Sequence, residues 1–428
     1  MWAKSLSIRK IFVWSKVRAL LAYGLGPALG LLSGPILARA LGPEGRGQFS
    51  SVMEPLTLGG AIATIGLPSA VTYFIAAGKD PRKVLIRALA LGLPSAVATY
   101  ALLAWYSEHV SETQNIPRGL LLTAWAFVVA SALIQILRAY WQGLGTWRRL
   151  DLERFSFAIL RFSAVVIVAA IGFTTVQPYV AGALVAFLLA GALLMSPNLF
   201  TRRERDVPDV KGIYRYSFAA AVGTIAVVCS NRIDQALLPI VADSEQLGFY
   251  AIAVTVAEVP VICAALAGRN ALTLASRGST LKFILKDIAP FIASGLLLLV
   301  VLYAGAPFYI PALFGTNFSP SILAVQILTV GTAFSLITFV SIAIVSGRGN
   351  PAKSSLIPLY SVLITLICFG VIGSDTNSTY AALISTASQI GGATVGAALV
   401  WSGRNRPPNG VSASPIVGKD NDLSLQVR

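Results

Sequence analysis

Apolar stretches of about 20 residues alternate with short polar connections along nearly the whole chain. An α-helix needs about 20 apolar residues to cross a hydrocarbon core of ~30 Å, so each stretch is long enough to form a transmembrane helix. We predict twelve, at residues 19–38, 48–75, 85–106, 119–143, 155–173, 178–197, 215–241, 247–268, 288–309, 320–346, 354–373 and 378–402. The pattern indicates an all-α integral membrane protein with about 12 transmembrane helices.

Basic residues collect on one side of the predicted helices. Most of the 33 Lys and Arg residues lie before the first helix, after the even-numbered helices, or in the tail. The opposite connections carry fewer cations than acids: Arg39, Arg46 and Arg118 against Glu44, Glu108, Glu112, Asp243, Glu245 and Asp375. Because cytoplasmic loops are enriched in Lys and Arg, we predict a multi-pass protein of the cytoplasmic (inner) membrane with both termini in the cytoplasm.

The longest hydrophilic connection, at residues 198–214, follows the sixth predicted helix. We interpret it as a cytoplasmic loop that separates an N-lobe at residues 19–197 from a C-lobe at residues 215–402, with six helices in each. A weak sequence echo supports this division, because residues 41–49 resemble residues 244–250 and both precede a Glu and a Pro. Transporters are commonly built from such repeats.

The two ends of the chain lie outside the predicted lobes. Residues 1–18 interleave cations with apolar side chains, which is typical of a helix lying in the cytoplasmic interface of a membrane. Residues 403–428 contain too few apolar side chains to pack, and we predict that they form a disordered cytoplasmic tail.

The composition fits a chain surrounded by lipid. Hydrophobic residues make up 56% of the sequence, charged residues 12%, and the mean hydropathy is +0.75. The net charge of +15 is accounted for by cytoplasmic loops close to anionic lipid, so no nucleic-acid partner is predicted.

The sequence gives no sign of catalysis, a metal or a cofactor. Cys229, Cys263 and Cys368 lie within apolar stretches, and His109 is the single histidine, so we expect neither a disulfide framework nor a metal site. The phosphate-binding pattern Gly-x-x-x-x-Gly-Lys-Ser/Thr does not occur, and the sequence has no large outer domain with clustered carboxylates. We therefore predict transport without catalysis.

Ionisable residues inside the apolar stretches are rare, and each costs at least ~2.5 kcal/mol at the bilayer centre, which makes them the strongest functional signal. Glu258 lies roughly 16 Å along its predicted helix, too deep for a carboxylate to reach the interface. Glu54, Arg232 and Asp234 lie in the outer parts of theirs. If the lobes face each other, these residues meet Arg39 and Arg46 at one cavity. Two interpretations stay open: a ligand site, and an ion-pair latch between the lobes that closes the outer gate.

Two further arginines are interpreted differently. Arg138 and Arg161 lie roughly 7 to 9 Å from the cytoplasmic ends of their predicted helices, within reach of the interface for a long side chain. We expect both to anchor their helices at the membrane surface.

Several motifs, spread in order over essentially the whole chain, resemble those of the polysaccharide transporter flippases. The most specific are GPILARALGPEGRGQF at residues 34–49 and IGLPSA at residues 65–70. NRID at 231–234, LGFYA at 247–251, Gln142-Gly143 and Ser346-Gly347-Arg348 also match. The superfamily includes lipid II flippases and multidrug and toxin extrusion exporters.

This resemblance implies two six-helix lobes that form a V-shaped central cavity and alternate between inward-open and outward-open states. It implies movement of undecaprenyl-pyrophosphate-linked oligosaccharide from the inner to the outer leaflet, for cell-surface polysaccharide biosynthesis. Arg39 matches the family's arginine at the end of the first helix, and Asp234 matches its acid in the seventh.

From depth, charge and resemblance together we hypothesise two groups of site residues. Arg39, Arg46 and Arg232 are the expected substrate-binding cations, and Glu54, Asp234 and Glu258 are the expected ion-coupling or gate residues, exchanging H⁺ or Na⁺. Membrane lipid holds the prenyl tail, and a polysaccharide polymerase and glycosyltransferases are candidate partners. One alternative is a multidrug or cation antiporter of the same superfamily, disfavoured because its cavity should offer aromatics and acids. Another is a non-catalytic membrane component of a glycan-assembly complex.

Overall fold

The computed structural model describes residues 2–196, 199, 212–373 and 376–403, and it describes side chains from residue 25 onward. These residues form α-helices joined by short turns, without a β-strand among them. The first half contains α1 (Trp2–Ala63), α2 (Leu67–Ala76), α3 (Pro81–Gln114), α4 (Arg118–Trp125), α5 (Phe127–Gly143), α6 (Trp147–Ile171) and α7 (Val176–Ala192). The second half contains α8 (Ile213–Val241), α9 (Ser244–Ala257), α10 (Val261–Ser276), α11 (Leu281–Phe314), α12 (Ser321–Gly347), α13 (Pro351–Ser354), α14 (Leu356–Ile372) and α15 (Ser378–Ser402).

The predicted all-α membrane architecture is confirmed. Within the described residues, nine helices are long and apolar enough to cross a membrane, and the bent pair α9 and α10 adds a tenth. Each of the twelve predicted stretches contains a helix, and the smaller count has two causes. The first two stretches are merged in α1, and the sixth corresponds to α7, which has only 17 residues.

Gly42 divides α1 into two legs. A straight helix of 62 residues would be ~93 Å long, about three times the thickness of a hydrocarbon core. Gly42 has φ 68° and ψ −177°, a conformation that glycine adopts readily because it has no Cβ atom. Residues from both legs line the same cavity, so the chain turns back at Gly42. A single glycine turn therefore stands where the sequence pattern predicts a polar loop.

The eighth predicted helix is bent by 46° between α9 and α10. Pro260, at the start of α10, has no N–H to continue the helical hydrogen bonds, and its ring clashes with the preceding turn. Glu258 caps the C-terminal end of α9 and therefore lies at this bend.

The largest apolar cluster of each half is built almost entirely from that half, although the second-half cluster also includes Ala38 of α1. Trp125 and Tyr179 belong to the largest buried cluster of the first half, and Tyr250 and Phe318 to that of the second. The indole N–H of Trp125 donates a hydrogen bond of 2.8 Å to the carbonyl of Val52, which fixes α4 against the second leg of α1. The two cores are consistent with two lobes.

Some sequence predictions fall on residues outside those described. The predicted inter-lobe loop, apart from residues 199 and 212–214, and the predicted tail beyond residue 403 lie outside them. Residues 2–18 belong to α1, but their side chains are not among those described. The lobe boundaries stay a prediction.

The two halves are in contact at the predicted outer end of the helices. A Cβ atom on Gly47 would lie 1.7 Å from the carbonyl oxygen of Ser244, and one on Gly248 would lie 2.0 Å from that of Pro43. The buried amide of Gln114, at the end of α3, donates hydrogen bonds of 2.9 and 2.7 Å to two carbonyls at the end of α8. Close backbone contact therefore joins the halves here.

A second contact between the halves lies at the opposite end. The ring of Tyr73 in α2 stacks on that of Tyr216 in α8, with centroids 4.8 Å apart. The hydroxyl of Ser217 donates a hydrogen bond to the carbonyl of Ile65. The space between the halves is thus bounded at both ends by contacts across it.

Candidate functional site

A cavity of about 980 Å³ lies between the two halves. Its walls come from α1, α5, α6 and α7 of the first half and from α8, α9, α10, α12 and α15 of the second. Seven of the lining residues are charged: Arg46, Glu54, Arg138, Arg161, Arg232, Asp234 and Glu258. Five of the six residues that the sequence singled out therefore lie at one cavity.

Arg232 is shared by two carboxylates from opposite halves. Its guanidinium lies 3.6 Å from Glu54, on the second leg of α1, and 3.2 Å from Glu258, at the bend between α9 and α10. It also donates a hydrogen bond of 3.5 Å to Gln235. All three charged side chains are partly exposed to the cavity, between 21% and 41% of their surface. Arg232 thus links α8 to the first half through Glu54 and to the bend within the second half through Glu258.

Asp234 lies two residues further along α8 and is almost fully buried. One carboxylate oxygen accepts a hydrogen bond of 2.8 Å from the backbone N–H of Gln235. The other accepts a hydrogen bond from the hydroxyl of Tyr250, and Ser385 of α15 bonds to the same carboxylate. Asp234 is therefore held by groups from α8, α9 and α15, as expected for a carboxylate removed from water.

Arg46 and Arg161 face the cavity from the first half without a carboxylate partner. Arg46 donates only a long hydrogen bond of 3.5 Å to Ser50, and its buried Nε has no partner within the described residues. Arg161 of α6 makes neither a hydrogen bond nor an ion pair with any residue that the structure describes. Both interact electrostatically with Glu54 at longer range. Their guanidinium groups are available to an anion.

Arg138 is the fourth arginine of the cavity wall, and its charge is balanced. Its guanidinium makes two hydrogen bonds, of 3.0 and 2.6 Å, to the carboxylate of Glu153, which is only 1% exposed. This bidentate pair joins α5 to α6. The prediction that Arg138 reaches the membrane surface is corrected, since its partner is a buried carboxylate.

Arg39 lies away from the cavity lining. Its guanidinium donates hydrogen bonds of 2.8 and 2.5 Å to the carbonyls of Leu313 and Ala312, in the last turn of α11. The last four carbonyls of a helix have no intrahelical partner, so a cation is favoured there by both hydrogen bonding and the helix dipole. The structure therefore places Arg39 at a contact between the halves, apart from the other five predicted residues.

Arg161 is the site residue that sequence reasoning assigned to another role. The sequence pattern started the fifth helix at residue 155, whereas α6 begins at Trp147. Arg161 is roughly 21 Å from that start by helix rise, and it lines the cavity. The run from Trp147 to Glu153 belongs to the same helix as the apolar run that follows it. Including this run would have placed Arg161 further along its helix.

Around Glu54, three guanidinium groups face two carboxylates: Arg46, Arg161 and Arg232 against Glu54 and Glu258. Planar guanidinium groups bind phosphate oxygens through paired hydrogen bonds. The cavity therefore offers two cationic groups on the first-half wall, Arg46 and Arg161, beside an ion-pair network in which Arg232 joins Glu54 of the first half to Glu258 of the second. No group of three or more His, Cys, Asp or Glu residues within the described ranges is placed to hold a metal ion.

The fold and this cavity define a multi-pass α-helical membrane protein with a charged chamber between two helical halves. Residues 16–273, more than half of the chain, match the model of the family described as polysaccharide biosynthesis protein. The chain belongs to this polysaccharide biosynthesis protein family. No curated protein matches the sequence.

Solved structures of the MOP superfamily share the fold. An inward-facing multidrug resistance MATE family transporter is similar with a TM-score of 0.68 and 15% identity, over 91% of this chain and 97% of that one. The lipid II flippase MurJ in an inward closed conformation has a TM-score of 0.66 and 14% identity, over 89% and 86%. An outward-facing MATE family transporter gives 0.51 and 15%, over 90% and 93%. At these identities the likeness shows the fold, and the helices are arranged more like the inward-facing example.

Proposed function

We propose that this protein is a flippase that moves undecaprenyl-pyrophosphate-linked oligosaccharide from the inner to the outer leaflet of the cytoplasmic membrane by alternating access. Membership of the polysaccharide biosynthesis protein family supports the glycan, and the fold shared with a lipid II flippase supports the lipid-linked form. The single observation that carries the proposal is the pair Arg46 and Arg161, whose guanidinium groups face the cavity without a carboxylate partner.

In this proposal the diphosphate binds on the first-half wall. Arg46 and Arg161 supply cationic donors that make no direct ion pair with a carboxylate among the described residues. Arg232 joins them once the diphosphate competes with Glu54 and Glu258 for its guanidinium, because the three groups are linked through one network. The polar glycan occupies the cavity, and the prenyl tail stays in membrane lipid.

Glu54, Asp234 and Glu258 are the proposed coupling and gate residues. An ion drives a change of state only if it binds the two states with different affinity. Glu54 and Glu258 share Arg232, but only the pair of Arg232 with Glu54 joins the two halves. Protonating Glu54, or binding Na⁺ there, weakens this contact directly, whereas protonating Glu258 changes it by releasing Arg232 from its partner within the second half. The proposed cycle therefore exchanges H⁺ or Na⁺ as the lobes open and close, with both termini in the cytoplasm.

The test uses the full-length protein in lipid vesicles that contain a labelled undecaprenyl-diphosphate oligosaccharide. The measured quantity is the fraction of glycan that becomes accessible to a glycosidase on the opposite side. We expect the double substitution Arg46→Gln and Arg161→Gln to lower the rate at least tenfold, because hydrogen bonds to charged groups contribute about 1.5–3 kcal/mol each. Arg118→Gln is the matched control, since Arg118 pairs with Glu108 at 3.9 Å outside the cavity. Equal rates for the double variant and the control would refute the proposal.

A second candidate function is export of organic cations, supported by the fold shared with a MATE family transporter and by the carboxylates of the cavity. The same vesicle assay distinguishes cation export from glycan translocation. Uptake of a fluorescent cation that depends on Glu54 and Glu258, without glycan translocation, would favour the exporter.

A further inference from the structure

The second-half wall of the cavity carries uncharged polar groups that have no partner in the protein. Asn231 of α8, Ser335 of α12 and Gln389 of α15, here called the neutral triad, all line the cavity. Their side chains make no hydrogen bond with any residue that the structure describes. Neighbouring polar groups differ, since Thr332 donates to the carbonyl of Ala257. The neutral triad therefore has unused donors and acceptors.

The three residues come from helices whose relative directions are fixed by contacts at one end. The side-chain oxygen of Gln246, just after α8, accepts hydrogen bonds of 3.1 and 2.8 Å from Ser378 at the start of α15. The rings of Phe249 and Phe318 meet at 6.2 Å, next to the start of α12. The end of α8 thus lies beside the starts of α12 and α15, so α8 runs antiparallel to both.

This arrangement brings the neutral triad to one level of the cavity. Asp234 of α8 is bonded to Ser385 of α15, which sets the two helices in register. Asn231 is three residues before Asp234, and Gln389 is four residues after Ser385, so both are displaced by ~4.5 to 6 Å in the same direction.

The position of Ser335 follows from a second contact. A Cβ atom on Gly331 of α12 would lie 2.7 Å from the hydroxyl oxygen of Thr386, which sets α12 beside α15. Ser335 follows Gly331 by four residues, and Gln389 follows Thr386 by three, so both are about one turn further along parallel helices. All three members of the neutral triad therefore lie about one turn from the Asp234 contact, in the same direction.

The chemistry of the neutral triad selects a hydroxyl-rich, uncharged ligand. A side-chain amide offers two donors and an acceptor, and a serine hydroxyl offers both, which matches the alternating donors and acceptors of sugar hydroxyls. Asn231 is exposed and Gln389 is half-buried, and no side-chain polar atom of the neutral triad is among the buried atoms without a partner, so these groups are accessible to a ligand that enters the cavity. Glu258 and Asp234 nearby repel acidic groups.

We propose that the neutral triad is a sugar-binding subsite that holds hydroxyl groups of an uncharged glycan while the diphosphate lies against the arginines of the opposite wall. This inference rests on the proposed function and adds to it the class of headgroup and the place where the headgroup binds.

The test measures binding of two probe lipids to the full-length purified protein: undecaprenyl diphosphate carrying a neutral trisaccharide, and undecaprenyl diphosphate without sugar. The variant combines Asn231→Leu and Gln389→Met, which keep side-chain volume and remove the polar groups. The matched control is Gln326→Met, because Gln326 is outside the cavity lining and its amide makes one long hydrogen bond of 3.4 Å. Ser335→Ala alone serves if the double variant does not fold.

We expect the double variant to bind the trisaccharide lipid about tenfold more weakly than the wild type, the effect of two lost neutral hydrogen bonds. Binding of the sugar-free lipid should stay within about twofold. Unchanged binding of the trisaccharide lipid, or an equal loss for both lipids, overturns the subsite while leaving the proposed function standing. A wild-type protein that binds neither lipid overturns the proposed function itself.

Discussion

The guanidinium of Arg232 lies 3.2 Å from the carboxylate of Glu258, and this pair joins α8 to the bend between α9 and α10. Glu54, from the other half, approaches the same guanidinium to 3.6 Å. One cation therefore holds two anions from opposite sides of the cavity. A proton on Glu54, or a ligand that draws Arg232 away from Glu54, removes the ion pair between the halves, which links occupancy of the cavity to its opening.

We predict that Glu258→Gln flattens the pH dependence of translocation. Protonation of Glu258 weakens its ion pair and releases Arg232 for the diphosphate, so lowering the pH should strengthen lipid-diphosphate binding in the wild type. Glu54 and Asp234 are the other titratable groups facing Arg232 and keep part of the dependence. The measurement is translocation in vesicles as a function of pH.

Glu245→Gln is the control for that experiment, because Glu245 is exposed in the first turn of α9 and lies outside the cavity lining. An unchanged pH profile in Glu258→Gln would remove Glu258 from the coupling role.

Gly47→Ala should destabilise the contact between the halves at the predicted outer end. The added Cβ atom would lie 1.7 Å from the carbonyl oxygen of Ser244, a backbone atom that cannot move aside cheaply. Overpacking of this kind costs about 1–3 kcal/mol, so the thermal midpoint of the purified protein should fall. Gly370→Ala is the matched control, since a Cβ atom there meets nothing within 4 Å. Equal thermal midpoints for the two variants would show that the contact between the halves accommodates the added methyl group without loss of stability.

The sequence predicts the helices of this protein well because apolar runs of the required length have few alternatives in a membrane. The prediction of helix boundaries fails where a single residue makes the turn that a loop was expected to make. Gly42 reverses the chain in a single position, and the polar residues around it, Glu44 and Arg46, look like a connection while belonging to a helix. A hydropathy pattern cannot distinguish a tight turn from a short polar loop.

The site was predictable in part, and the errors have physical causes. Depth along a helix indicates Glu258, because a charge far from both interfaces needs partners or water. Glu54 and Arg232 are indicated as rare charges in the outer parts of apolar stretches. Arg39 is predicted from its match to the family's arginine at the end of the first helix, and neither that match nor its position says which way the side chain points; in the structure it contacts the end of α11. Arg161 is assigned to the membrane surface by the sequence pattern because the apolar run begins only at residue 155, whereas α6 begins at Trp147 and brings Arg161 to the cavity.

Removing Arg138 should be far more harmful than removing both members of its pair. Arg138→Met leaves the carboxylate of Glu153 buried without a counter-ion, which typically costs about 3–5 kcal/mol. The double variant Arg138→Met with Glu153→Leu replaces the pair by apolar groups and should recover most of the thermal stability. A double-mutant cycle on the thermal midpoint checks this, and strictly additive losses would contradict a direct coupling.

Substitutions of Arg39 and Arg161 should distinguish a contact between the halves from the ligand site. Arg39→Gln removes hydrogen bonds to the end of α11 and leaves the cavity intact, so binding of undecaprenyl diphosphate should change by less than about twofold while the contact between the halves weakens. Arg161→Gln removes an unpaired cation from the cavity wall, so binding of the same lipid should weaken about tenfold or more. The two dissociation constants, measured at equal ionic strength, decide between the assignments. A larger loss in Arg39→Gln than in Arg161→Gln would return the diphosphate to the position that the sequence suggested, because Arg39 would then have to leave α11 and enter the cavity in the state that binds substrate.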